Sequence, residues 1–144
     1  MDWEEYEKKC DEIRKENEKY LEIFKADLKD LSAKTIKSHI ENVSFYINDY
    51  LLREDAINMA DGITYIDSYL GYYFIRRCMW STPATIKSTA ASIKKFYKSM
   101  MEHGFVEKTS YDDLCCEIKD NIEFWQEDCA EYNDPNADDP FDIR

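Results

Sequence analysis

The stretch from Ser81 to Phe105, STPATIKSTAASIKKFYKSMMEHGF, decides the fold. Pro83 suits the first position of a helix, where its missing N–H has no partner to lose, and Thr82 before it supplies a capping oxygen. At the other end Gly104 suits a left-handed C-terminal cap after His103, with Phe105 closing back on Met100 as the apolar contact of that motif. Between these limits Ile86, Ala90, Ile93, Tyr97 and Met100 recur at helical spacing and predict a buried stripe. With Ile86 set at 0°, Lys94, Lys87, Lys98 and Lys95 fall at about 80°, 100°, 120° and 180°. One side of this helix therefore carries all four lysines.

The same grammar extends in both directions. From Trp3 to about Lys29 the positions Trp3, Tyr6, Cys10, Ile13, Tyr20, Phe24 and Leu31 follow a repeat near 3.5, with Asn17 in the gap. That stripe either packs on the rest of the chain or forms the seam of a dimeric coiled coil through residues 3–29. Ser32 is a good N-cap, Leu31 and Ile36 stand at the positions of a hydrophobic staple, and a second helix is predicted from Ala33 to about Leu52. Its inner stripe is Ile36, Ile40, Val43, Ile47 and Tyr50. Phe45 lies on the opposite side and calls for a second neighbour, for which the first helix is the candidate.

After the turn signal Asp61-Gly62, Ile63, Ile66, Leu70 and Phe74 predict a third helix ending near Arg77 or Cys78. Tyr65, Tyr69, Tyr72 and Tyr73 on it read as the edge of a core rather than as base-stacking platforms. Leu114, Cys115, Ile118, Ile122, Trp125, Cys129 and Tyr132 mark a last helix. The expectation is an all-α fold, a single bundle of four to five helices, with an amphipathic helix in residues 1–30, a helical domain in 31–132 and a mobile acidic tail in 133–144.

Composition agrees with this reading. Three Gly and three Pro leave little material for hairpins, whereas 11 Tyr, 7 Phe and 3 Trp supply a core. The 144 residues are sized for one domain. The five cysteines form no C-x-x-C pair and have no His at zinc-ligand spacing, so reduced core thiols and no metal or other cofactor are expected. Asp134, Asn136 and Asp138 imitate the first ligands of a calcium loop, but Asp139 replaces the turn glycine. No secretion signal or membrane span is legible, which points to a cytoplasmic protein and no membrane partner.

Charge is the clue to function. The chain carries −12 overall, yet Gly71 to Met101 holds Arg76, Arg77, Lys87, Lys94, Lys95 and Lys98 and no acid. Such a segment predicts one cationic face that attracts a polyanion despite the net charge, and duplex DNA is the leading candidate. An ordinary solvated face and a protein partner are the other readings. Against DNA stand the flanking acids, with −4 over Met1–Asp30 and −11 over Glu102–Arg144.

Leu31-Ser32-Ala-Lys-Thr35-Ile36 with Val43, Phe45 and Ile47 is followed about 50 residues after Ser32 by Ser81-Thr-Pro-Ala-Thr85-Ile86, Ile93-Lys-Lys-Phe96-Tyr97 and Gly104-Phe105-Val106. This order of caps, stripes and closing pairs resembles the N-terminal core-binding domain of tyrosine recombinases (phage integrases), a SAM-like helical domain, over roughly residues 25–118. The resemblance implies a bundle forming half of a clamp on DNA in site-specific recombination and DNA integration. It points to Lys34, Thr35, Lys37 and Ser38 on the second helix and to Thr85, Lys87, Ser88, Lys94 and Lys95 on the fourth. His39 stands where the family often has Tyr or Arg.

The family's catalytic half, with its H-x-x-R motif, is not among these residues, so no enzyme is expected. The two helix starts are expected to lie side by side and merge their positive charge. The alternative is an acidic interaction module, a recombinase partner or a DNA mimic docking on a basic protein, that has lost DNA binding.

Overall fold

The computed structural model describes residues 2–135, and every element in them is helical. In chain order these are α1 (Trp3–Asp27), α2 (Ala33–Ser44), α3 (Ile66–Ser68), α4 (Phe74–Arg77), α5 (Pro83–Glu102) and α6 (Lys108–Asn133). A π-helical turn over Phe45–Tyr50 prolongs α2, and a second over Tyr69–Tyr73 joins α3 to α4, so the six elements make five rods. The reading of 133–144 as a tail, and of Asn136 and Asp138 in a calcium-like pattern, falls from Asn136 onward outside the described residues.

α5 is the central rod, packed against α6, α2 and α1. Its start is a reciprocal box: the Thr85 N–H donates to Thr82 Oγ1 at 3.1 Å and the Thr82 N–H donates to Thr85 Oγ1 at 2.7 Å. Its end is a complete Schellman motif. Gly104 takes φ +83°, its N–H reaches Met101 O at 3.1 Å, and the Phe105 N–H reaches Met100 O at 2.8 Å. The Phe105 ring, however, meets Tyr20 of α1 edge-on at 5.0 Å, so the turn also clasps α1 to α5.

Ile86, Ala90, Ile93, Tyr97 and Met100 are all buried as the periodicity requires, and Phe96, Thr89, Ser92 and Ser99 join them. The buried arc is wider than one stripe because α5 has neighbours on three sides. Phe96 meets Phe24 of α1 edge-on at 5.4 Å. The α1 stripe of Cys10, Ile13, Asn17 and Phe24 is covered by its own chain. Tyr6 donates to Leu52 O, and Asn17 Nδ2 donates to Ile47 O at 3.2 Å and Asn48 Oδ1 at 2.8 Å. Trp3 and Leu31, counted in that stripe from sequence, are exposed.

Three expectations change. Phe45 does find a second neighbour, but it is Trp80 at 5.7 Å and Tyr69 at 6.4 Å rather than α1, which lies against the Ile36, Lys37 and Ile40 flank of α2 instead. The third helix starts at Ile66, since Asp61–Thr64 closes as a separate 3-10 turn that carries Ile63. Among its tyrosines only Tyr69 is buried, packed at tilted and edge-on angles among Tyr46, Tyr50 and Phe74, whereas Tyr73 is half-buried and Tyr65 and Tyr72 are exposed. Cys10, Cys78 and Cys129 are buried, Cys115 is half-buried and Cys116 is exposed, and all five are free thiols. Burial pushes the Cys78 thiol up to about 11.

The C-terminal end of α1 is held to α5 by Asp27, whose Oδ2 accepts from Ser99 Oγ at 2.5 Å and lies 3.0 Å from His103 Nε2. The Ser99 hydroxyl and then His103 hold the Asp27 carboxyl below the usual carboxylate range. Its contribution to stability is therefore complete above the unfolded value of about 3.9 and is lost as pH falls through the lower native value. In urea melts from pH 6 to pH 2, Asp27→Asn is expected to lower stability at pH 6 and to flatten the acid limb. An acid limb unchanged by the substitution would assign the pH dependence to other carboxylates.

Candidate nucleic-acid interface

Lys87, Lys94, Lys95 and Lys98 all stand exposed on the outer arc of α5, and none forms an ion pair among the described residues. The carboxylates of α6 do not reach them within ion-pair distance. Ser88 shares the arc, its hydroxyl donating to Thr85 O at 3.1 Å.

The two helix starts do not lie side by side. His39 Nδ1 lies 2.7 Å from Ser92 Oγ, Asn42 Nδ2 donates to the same hydroxyl at 3.0 Å, and Phe45 packs on Trp80, which precedes α5. Moving forward along α2 thus moves backward along α5. The helices are antiparallel, and their N-termini, with the positive ends of their dipoles, sit at opposite ends of the strip.

This packing sorts the α2 residues. Lys34, Ser38 and Asn42 recur every four residues, and Asn42 bonds α5, so Lys34 and Ser38 run alongside the lysine arc. Lys37 belongs to the other flank. With Glu41, 3.8 Å away, it lines an apolar groove against Leu21 and Lys25 of α1. Thr35 and Thr85 are engaged in the caps of their own helices: Thr35 N–H donates to Ser32 Oγ at 3.2 Å, and Thr85 Oγ1 donates to Trp80 O at 3.1 Å.

Arg76 and Arg77 lie at the far end of the strip, where α4 stops. The Arg76 guanidinium stacks over Tyr72 at 4.1 Å and over Tyr132 of α6 at 5.5 Å, with no carboxylate partner among the described residues. Arg77 is exposed and likewise unpaired there. The strip proper therefore comprises Lys87, Lys94, Lys95 and Lys98 with Lys34 and Ser38 beside them. Arg76 and Arg77 form a separate cationic end.

Sequence reasoning missed the polar seam beneath this strip. His39, Asn42 and Ser92 meet between α2 and α5, and burial, then the charge of Lys95, holds the His39 imidazole below its ordinary value. The signal available was a hydroxyl-lined side of α5, where Ser88, Ser99, Ser92 and Thr85 fall at about 200–260° from Ile86, between the lysine arc and the apolar stripe. The seam places Lys95 beside α2 and keeps a neutral ring next to it.

Fold and site together define an all-helical bundle with one outward cationic strip on an otherwise acidic chain. Comparison with family models, with curated proteins and with solved structures finds no match.

Proposed function

We propose that the chain is a DNA-binding module that holds duplex DNA through phosphate contacts along the α5 strip, and that it acts in, or derives from, site-specific recombination of the tyrosine recombinase kind. The observation that carries the DNA reading is the set of four α5 lysines on one exposed arc without a carboxylate partner among the described residues. A helix face normally mixes signs to gain i,i+4 pairs, as Lys108 and Asp112 do on α6 at 2.7 Å. α5 forgoes that support, and a polyanion is the ligand that restores it. The recombination reading rests on the resemblance of α2, α5 and the Gly104-Phe105 closure to a core-binding domain.

The test is a titration with a mixed-sequence duplex at several salt concentrations. Contacts to four to six phosphates give a log–log slope of about −3.6 to −5.4, with little dependence on base sequence. No binding at low salt overturns the proposal.

A second reading has one observation in its favour. Asp113, Asp120, Glu123, Glu127, Asp128 and Glu131 of α6 are exposed and unpaired among the described residues, an acidic surface suited to a basic protein such as a recombinase. Neutralising Glu123, Glu127, Asp128 and Glu131 to Gln or Asn separates the two readings, because it strengthens DNA binding where these acids only repel DNA and weakens partner capture where they are the contact. Self-association through residues 3–29 would use the remaining exposed face of α1, where Trp3 stands, and concentration-dependent light scattering reads it.

A further inference from the structure

Between α2, α4 and the start of α5 lies a pocket of about 210 Å³ that the phosphate contacts do not use. Its walls are four aromatic rings: Phe45, Tyr69, Phe74 and Trp80. Trp80 is the outer wall, 55% exposed, and Phe45 and Phe74 meet it near right angles at 5.7 and 6.4 Å. The volume accommodates a single planar ring system and no chain segment.

The polar groups in this pocket are few. Thr89 lines it while only 3% exposed, and its hydroxyl has no hydrogen-bond partner among the described residues. The hydroxyl oxygen is open to water, so a ligand's edge would displace solvent there rather than relieve an orphaned group. Asn42 also lines the pocket, and its amide nitrogen already donates to Ser92, which leaves its oxygen open. Glu41 at the mouth is approached only by Lys37 at 3.8 Å. Two acceptors and a hydroxyl between aromatic walls match a flat ligand that carries N–H donors at its edge.

Location narrows the ligand class. Asn42 connects the pocket to Ser92, one turn along α5 from Lys95, so the opening borders the strip that attracts phosphate. A free cation would enter against the field of those lysines, whereas a nucleotide brings its own phosphate to them.

We infer that this pocket receives one unpaired or extruded nucleobase with an exocyclic amino group, an adenine or a cytosine, from DNA held on the strip. This inference rests on the reading of the strip as a DNA site. Trp80 stacks on the base, Phe45, near perpendicular to Trp80, meets it edge-on, and Glu41, the Asn42 oxygen and Thr89 meet its edge. Extrusion is least costly where the base already lacks a partner, which makes a bulged or mismatched position the preferred target.

The experiment compares a fully paired duplex with the same duplex bearing one bulged adenine, cytosine or thymine, by anisotropy. Trp80 fluorescence is followed in a Trp3→Phe background, where Trp125 stays buried. Stacking makes the adenine and cytosine bulges bind about five- to a hundredfold more tightly than paired DNA and quenches Trp80. Thymine, without an amino group, gains less. Thr89→Val, which keeps the shape, reduces the preference about two- to tenfold, and Trp80→Ala removes it.

Equal binding of bulged and paired DNA, with the salt slope intact, overturns this inference and leaves the DNA reading standing. A single-stranded oligonucleotide that quenches Trp80 while paired duplex fails to bind does the reverse. Absence of both effects removes both. Quenching by choline in place of the oligonucleotide reassigns the rings to an ammonium cage and overturns the nucleobase reading.

Discussion

Replacing Lys87, Lys94 and Lys95 together by Glu is expected to abolish duplex binding at 50 mM salt while leaving the helical circular dichroism and the melting temperature close to those of the parent chain. The three ammonium groups are exposed and form no ion pair among the described residues, so the packing does not rest on their charge, and the one internal group that feels it is His39, beside Lys95. The neutral triple, to Gln, separates charge loss from repulsion: each phosphate contact contributes about 0.9 to the salt slope, so the slope should fall by about 2.7. Lys37→Gln, on the α1 flank and near Glu41, is expected to change the slope little. A Gln triple whose slope matches the parent places DNA, if it binds, elsewhere on the bundle.

Trp125→Ala carries the largest expected effect on stability. The indole is 2% exposed, its Nε1–H donates to Asp67 Oδ1 at 2.7 Å, and it fills the space opposite Gly71, where an added Cβ would come within 2.8 Å of the ring. Truncation leaves a cavity between α6 and the α3–α4 rod and costs about 3–5 kcal/mol, a large share of the 5–15 kcal/mol of a typical domain. The check is a urea melt, in which the midpoint should fall sharply with little change in the slope of the transition. Trp125→Phe keeps most of the apolar contact and loses the bond to Asp67, so a smaller loss is expected. Equal losses from the two substitutions would place the stabilisation in the hydrogen bond rather than in the packing.

What was legible beforehand follows a physical division. Ser32, Thr82-Pro83 and Gly104 act within a few residues of themselves, and each of these termini could be read before any tertiary information. The lysine arc was legible for the same reason, since it needs only the pitch of one helix.

The π turns over Phe45–Tyr50 and Tyr69–Tyr73 were not, because a single added residue per turn is stabilised by distant partners such as Gly62 O, which accepts from Tyr46 Oη at 2.6 Å. Nor was the direction in which α2 crosses α5, on which the sorting of Lys34 from Lys37 depends. Thr35 and Thr85 came from the resemblance alone, and in the structure each hydroxyl is taken up at its own helix start, Thr35 by Ser32 and Thr85 by Trp80 O. Three-dimensional placement decides which role each takes.

Asn17 has one consequence for how the chain assembles. Its amide nitrogen is matched to Ile47 O and Asn48, its oxygen is buried without a partner, and hydrocarbon side chains flank it along α1. Sliding α1 by a turn would bring another residue beneath the Ile47 carbonyl and drag the amide against bare methyl groups, forfeiting both bonds. The side chain thus acts as a latch on alignment more than as an adhesive: it penalises every misplaced docking of the first rod and leaves the correct one as the arrangement with least frustration.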